Sequence, residues 1–357
     1  MKNILLIFII CSCFLQCKPE KPQPEKHREP SIITHATSFN LIENDDFWEY
    51  QLLRSGKEHT QKINKNQLPF KNMLIMSSAA VGYLNELQSL EYVRAAFNTD
   101  WIYNQKLHQF IQEKKIINAG NAGSATLETI LSLDPDVIIA YTDPNQSKLL
   151  ETIQKAGIPV ILADEYLEST PLGKAEYLKL FGVLTGKNNE AEQLFSDIEK
   201  NYSQLKEMAK NAVHKPSVFA DVMRGDIWYM PGGQSFSAQY FVDAGADYLW
   251  KDSTKQGTEN LNFEQVFYRA QHADFWLNAA DYQSLIQLKD AYKNHDWFDA
   301  YQHQKVYSLA RRLNDTGASD YFETGTVRAD LVLKDLVHIF HPELLPNHSL
   351  FFYHQLQ

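Results

Sequence analysis

Three stretches of the sequence gather arginines, aromatics and glycines where the chain leaves an apolar run. The densest reads Arg224-Gly225-Asp226-Ile227-Trp228-Tyr229-Met230-Pro231-Gly232-Gly233-Gln234-Ser235-Phe236. Its glycines permit a tight turn ahead of a helix expected to begin near Ser235, with Arg224, Trp228 and Tyr229 facing a ligand across that turn. Arg311-Arg312-Leu313-Asn314 follows the run Val306 to Leu309, and Tyr141-Thr142-Asp143 follows Val137 to Ala140. Guanidinium groups neutralise carboxylates or catecholates, and aromatic rings cover apolar ligand faces. Tyr141, Arg224, Trp228, Tyr229, Arg311 and Arg312 are therefore the candidate ligand-binding residues, and their chemistry is that of binding.

Patterns for bond-breaking chemistry are missing. The sequence contains no G-x-S-x-G, no H-E-x-x-H and no G-x-x-x-x-G-K-[ST]. Gly120-Asn121-Ala122-Gly123 lacks a third glycine, and Gly186 follows a helical pattern, where glycine is expected as a cap. Among twelve histidines only His338 and His341 fall close together, near the end of the last helical pattern. The helix dipole favours exposed histidines there. With no cysteine beyond Cys17 and no zinc spacing, neither a resident metal nor a cofactor is expected. A formal net charge of −10 excludes nucleic acid as a partner, because phosphate binding needs clustered surplus cations.

The elements that must position these residues follow from periodicity. A chain of 357 residues with 44% apolar content suits two domains. Phe39, Leu41, Phe47, Trp48, Tyr50 and Leu52 predict a hairpin turning at Asn44-Asp45-Asp46. Met73 to Met76 reads as a buried strand, followed by a helix on which Ala80, Leu84, Leu87 and Leu90 share a face. Val137 to Ala140 and Pro159 to Leu162 are further continuous apolar runs after helical segments, the pattern of a parallel sheet covered on both sides. From 189 to 212 apolar residues recur at threes and fours without Gly or Pro, which predicts one long helix capped by Asn188 or Asn189. Strand and helix then alternate again, with strands at 218–220, 227–229, 275–277 and 306–309. The expected fold is α/β, with two lobes of mainly parallel sheet joined by one long rigid helix. The lobes span 32–187 and 214–357, and the connecting helix 188–213.

The start of the chain resembles a bacterial lipoprotein leader: Lys2, an apolar run from Ile4 to Ile10, then Cys17 ahead of the Pro-rich, charged stretch that begins Lys18-Pro19-Glu20-Lys21-Pro22. The resemblance implies a signal peptide over 1–16, a lipid on Cys17, and a tether over 17–31. Cys13 is the alternative, preceded by the smaller residues usual in such leaders but leaving a short one.

The body of the chain resembles the substrate-binding lipoproteins of ABC importers for iron chelates, haem and cobalamin. Leu127-Glu128-Thr129-Ile130-Leu131-Ser132-Leu133-Asp134-Pro135-Asp136-Val137 looks like the run in which a Glu-bearing helix leads through Pro-Asp into a buried strand. Phe181 to Lys187, Trp228 to Gly233, Asp243-Ala244-Gly245-Ala246, Asn262-Phe263-Glu264-Gln265-Val266 and the segment from Asp320 to Leu344 match in order, over about residues 73 to 345. Gln271-His272-Ala273-Asp274 departs from the second lobe's usual Pro-Asp. The resemblance implies a non-enzymatic, monomeric periplasmic protein, lipid-anchored to a bacterial membrane, that closes only slightly around a ferric chelate, haem or cobalamin held in the cleft between its lobes. It also implies delivery to an ABC permease and its ATPase, with Glu128 and Glu264 as the permease-docking carboxylates.

Overall fold

The computed structural model describes residues 30–54 and 57–357, so Cys17 and the leader lie outside it. The expected hairpin is present as β1 (Phe39–Glu43) and β2 (Phe47–Arg54), and Asn44 N donates to Phe47 O at 2.9 Å to close the turn. A third antiparallel strand, β3 (Lys57–Asn64), pairs with β2. Its residues are almost all polar, and Ile63 alone is buried apolar, so alternation could not reveal it.

Just before β1 the chain is held by two buried carboxylates. Glu176 accepts the amides of Thr34, His35 and Ala36 at 2.7–2.9 Å, and Glu168 accepts those of Thr37 and Ser38 at 2.8–3.1 Å. Five successive N–H donors thus meet charge-assisted acceptors, about twice as strong as neutral ones.

The first α/β unit runs β4 (Met73–Ile75), α1 (Ser78–Glu86), β5 (Val93–Ala96), α2 (Gln105–Gln112), β6 (Ile117–Asn118), α3 (Leu127–Ser132), β7 (Val137–Ala140), α4 (Ser147–Lys155) and β8 (Val160–Leu162). The strands form one five-stranded parallel sheet in the order β6-β5-β4-β7-β8. Leu74, Ala95 and Ile138 face one core with Ile130 and Ile153, while Met73, Ala96 and Ile139 face the other. Both faces are covered, which is why these strands read as continuous apolar runs. α1 stops at Glu86, earlier than expected, because Gln88 adopts a left-handed φ of +50°; Leu87 and Leu90 are still buried, but beyond the helix.

α5 (Pro171–Thr185) begins with Thr170 accepting from Gly173 N and ends at Gly186, whose φ of +69° is the left-handed cap the sequence called for. α6 (Asn188–Lys210) follows at once. Neither asparagine caps it: Lys187 holds the cap position and Asn188 is already helical. Ala191, Phe195, Ile198, Tyr202, Leu205 and Ala209 make its buried face.

The second unit comprises β9 (Ser217–Ala220), β10 (Met223–Arg224), β11 (Ile227–Pro231), α7 (Phe236–Asp243), β12 (Asp247–Tyr248), β13 (Thr258–Leu261), α8 (Phe263–Ala270), β14 (Phe275–Leu277), α9 (Leu285–Ala291), α10 (Asp299–Gln302), β15 (Tyr307–Ser308), α11 (Thr324–Val327), α12 (Ala329–Phe340) and β16 (His354–Gln355). Only β12-β9-β14 is parallel, and a parallel bridge from Trp276 to Val306 extends it. The expected strand at 227–229 lies instead in a separate antiparallel sheet, β10-β11-β13. α6 packs against both α5 and α12.

The departure at Gln271–Asp274 has a local explanation. Asp136, ahead of β7, accepts the amides of Lys71 and Asn72 at 3.0 Å, and Asp274, ahead of β14, accepts that of Ser217 at 2.8 Å. The carboxylate that holds the neighbouring strand is retained in both lobes, and the proline is dispensable. His341 is a correction: it is buried, and its Nε2 has no hydrogen-bond partner. His338, half-buried, places Nδ1 3.0 Å from Leu345 O.

Candidate functional site

The binding candidates divide between two cavities and the core. Arg311 and Arg312 line a cavity of about 480 Å³ with Gln283, Ala310, Phe351 and His354. Arg224 and Tyr229 line a second, of about 310 Å³, with Asp221, Val222, Thr258, Asn278 and Ala280. The two are neighbours, since Leu309 N donates to Ala280 O at 3.0 Å and Ala280 and Ala310 line one each. Both lie where strands of the second unit end, the usual ligand position in open α/β sheets.

Trp228 does not face a ligand. Its side chain is fully buried, donates Nε1–H to Ala220 O at 2.8 Å, and packs against Phe219, Trp276, Phe298 and His295. Alternation decides this: in β11 Trp228 and Met230 point inward, which leaves Tyr229 facing outward. Nor do Gly232 and Gly233 serve φ freedom. A Cβ on either would stand 2.3 to 2.4 Å from the backbone oxygens of Lys255 or Ser253, so they permit close approach of that loop. The helix after them starts at Phe236, with Ser235 capping it through Ala238 N.

The two neighbouring arginines have different environments. Arg312 Nε donates to the buried carboxylate of Asp320 at 2.6 Å, and its guanidinium lies 4.4 Å from the Phe351 ring centre. Arg311 is exposed and forms no ion pair with any described residue. Tyr141 lines neither cavity. It packs edge-on to Tyr166 at 6.3 Å, and Thr142 beside it donates N–H and O–H to Asp164 at 2.7 and 2.8 Å.

The second cavity contains what sequence reasoning missed. Asp221 and Asn278 directly follow β9 and β14 with φ of +59° and +53°. Asp and Asn tolerate that left-handed region better than other side chains, and this was the available signal. Burial pushes the Asp221 carboxyl up to about 7, and Arg224 offsets this only in part. Two further carboxyls are raised by burial. Glu165, near Lys174, reaches about 7. Glu323 reaches about 8 although it accepts the amides of Tyr103 and Asn104. That contact joins the two units, as do Asn314 Nδ2 to Ile102 O at 2.8 Å and Thr316 Oγ1 to Asp100 O at 2.7 Å.

Residues 83–313 match the periplasmic binding protein family. The chain belongs to that family. As a periplasmic binding protein it is a solute-binding transport protein and not an enzyme. An uncharacterized lipoprotein of Methanocaldococcus jannaschii is 24% identical over 99% of this chain and 96% of its own length. Among solved structures, a possible iron-binding periplasmic solute-binding protein of Staphylococcus epidermidis superposes with a TM-score of 0.60 at 17% identity, covering 76% of this chain and 99% of its own. An Fe3+-hydroxamate transport protein of Saccharomonospora viridis gives 0.58 at 16% identity, over 82% and 98%. These likenesses show the fold, two α/β lobes.

The two docking candidates occupy equivalent helix positions. Glu128 is the second residue of α3 behind the cap Thr126, and Glu264 the second of α8 behind Asn262, each exposed. Asn262 and Gln265 complete a reciprocal capping box. Among the described residues no helix is long and apolar enough to cross a membrane, and no cluster of His, Asp or Glu could hold a metal ion.

Proposed function

We propose that this periplasmic binding protein captures a bulky metal chelate, a ferric siderophore or a related haem or cobalamin tetrapyrrole, and delivers it to an ABC permease. The observation that carries the reading is the pair of adjoining cavities at the strand ends of the second unit, with the guanidinium of Arg311, unpaired among the described residues, exposed on the larger one. An exposed cation with no counter-ion among the described residues suits an anionic chelate edge, and Tyr229 supplies an aromatic face. Relatives support this ligand class: a vitamin B12-binding protein of Pectobacterium atrosepticum is 23% identical over 52% of this chain and 70% of its own, and a periplasmic haem-binding protein of Pseudomonas aeruginosa shares the fold. Lipidation at Cys17 would hold the protein at a bacterial membrane, and Glu128 and Glu264, one on each lobe, would engage permease arginines. α6, a single helix packed against both lobes, limits closure to a small motion.

The test is calorimetric titration of the purified protein with a ferric tris-catecholate siderophore, haemin and cyanocobalamin. Saturable binding of one class is expected, weakened about tenfold or more by Arg311→Ala. Absence of saturable binding to all three, or wild-type affinity in Arg311→Ala, would overturn the reading. For docking, Glu128→Arg with Glu264→Arg is expected to abolish uptake while binding persists.

A further inference from the structure

The smaller cavity contains an arrangement that stability does not require. β9 and β14 are adjacent and parallel, with Ala220 paired to Leu277. Each is followed by a non-glycine residue in the left-handed region, Asp221 and Asn278, and Ala280 continues at φ +45°. Such conformations cost of order 1 kcal/mol each and persist where the surroundings fix them. Here three hydrogen bonds fix them. Asp221 N donates to Leu277 O at 3.0 Å, Trp276 Nε1 donates to Asp221 O at 2.8 Å, and Ala280 N reaches Asn278 O at 2.6 Å. Two strand ends are thus turned in the same way, side by side, onto one cavity.

The polar inventory of that pair is unbalanced. Tyr353 donates its O–H to Asn278 Oδ1 at 2.9 Å, which occupies the amide oxygen and leaves Nδ2 without an acceptor among the described residues. The Asp221 carboxylate has neither hydrogen bond nor ion pair among them. Arg224 lies on the same cavity and acts on Asp221 only through space. A half-buried carboxylate that lines a cavity and has no partner among the described residues is open to a donor entering that cavity. One acceptor and one N–H donor, adjacent and both unused, complement a group that carries an N–H donor beside a C=O acceptor.

Resting on the ligand class proposed above, we infer that Asp221 and Asn278 form a subsite that reads a primary carboxamide on the ligand's periphery. Asp221 accepts the ligand's N–H, and Asn278 Nδ2 donates to its C=O. Above about pH 7, where Asp221 is ionised, the subsite discriminates against a carboxylate at the same place, since that group would meet the Asp221 oxygens and has no proton to give. An ammonium group would use Asp221 and leave Asn278 idle.

The test compares the wild-type protein with Asp221→Asn and Asn278→Asp by calorimetric titration at about pH 8, above the raised Asp221 value. The probes are cyanocobalamin, which carries peripheral carboxamides, its monocarboxylic hydrolysis products, haemin, which carries carboxylates, and ferrioxamine B, which carries a pendant ammonium. Wild type is expected to prefer cyanocobalamin to haemin, and to at least one monocarboxylic product by tenfold or more. Asp221→Asn is expected to invert the second preference, because the new amide donates to the carboxylate, and a merely structural role would not produce that inversion. Asn278→Asp is expected to weaken cyanocobalamin about tenfold. Several results overturn the inference: unchanged preferences in Asp221→Asn, a wild type that prefers haemin, or tightest binding of ferrioxamine B with further gain in Asn278→Asp, which would make this an ammonium site. If no probe binds even the wild type, the ligand class itself fails and the subsite falls with it.

Discussion

The two α/β units solve the same topological problem with different regularity. The first builds five parallel strands into one sheet with apolar residues on both faces, and neither of the two cavities described touches it. The second divides its strands among a three-stranded parallel sheet, an antiparallel sheet and a two-stranded pair, and it lines both cavities. Interrupted strands leave more chain ends near the cavities, where side chains can be aimed at a ligand. The regular unit offers stability, and the irregular one offers positions.

The comparison sharpens if the irregular unit depends on one aromatic cluster. Phe219 lies 4.9–5.9 Å from Trp228, Trp276 and Phe298, all fully buried. Phe219→Ala is expected to lower stability by about 3–5 kcal/mol in chemical denaturation, with the loss of protection in hydrogen exchange falling on β9, β11 and β14. Equal loss throughout the β4–β8 sheet would show that the units are not distinct. Next in size, Arg312→Ala strips the buried Asp320 of its ion pair and should cost about 2 kcal/mol, less than a fully buried pair because Arg312 is 38% exposed. Arg311→Ala next to it should leave the midpoint of denaturation unchanged, and comparable losses would erase the distinction between an ion-paired arginine and one proposed to bind ligand.

The smallest effect concerns pH. Burial raises Asp221 from its ordinary value to about 7, so folding favours its neutral form. The associated stability is complete below about pH 4 and fades as pH rises through about 7, above which the fold must hold a desolvated anion. Asp221→Asn removes that anion. Its Tm should exceed that of wild type by a few degrees at pH 8 and match it near pH 4 in thermal scans; a gap independent of pH would break the assignment.

How much was legible follows the same division. β7 and β8 were readable because burial on both faces leaves no polar residue inside the strand. α6 was readable from its three-four spacing, though its cap was not, because its first turn is set by packing on α5 and not by Asn188. β3 escaped because pairing to β2, not apolar content, makes it a strand. Arg311, which follows β15, and Arg224, which ends β10, each line a cavity, while Trp228 was misread because residue type alone does not tell which face of β11 it occupies. Asp221 and Asn278 offered only their type directly after an apolar run, and their pairing was missed because it lies in adjacency across a sheet, which no linear spacing encodes.

The clasp of Glu176 and Glu168 on residues 34–38 has a mechanical consequence. A pull on the N-terminal segment meets five bonded amides before it reaches β1, so the load passes into α5 through Glu176 and into the chain just ahead of it through Glu168. The clasp acts as a strain relief, like the grip where a cable enters an instrument. Tension on the leading segment can reorient the whole body without deforming the cavities, which lie in the other unit.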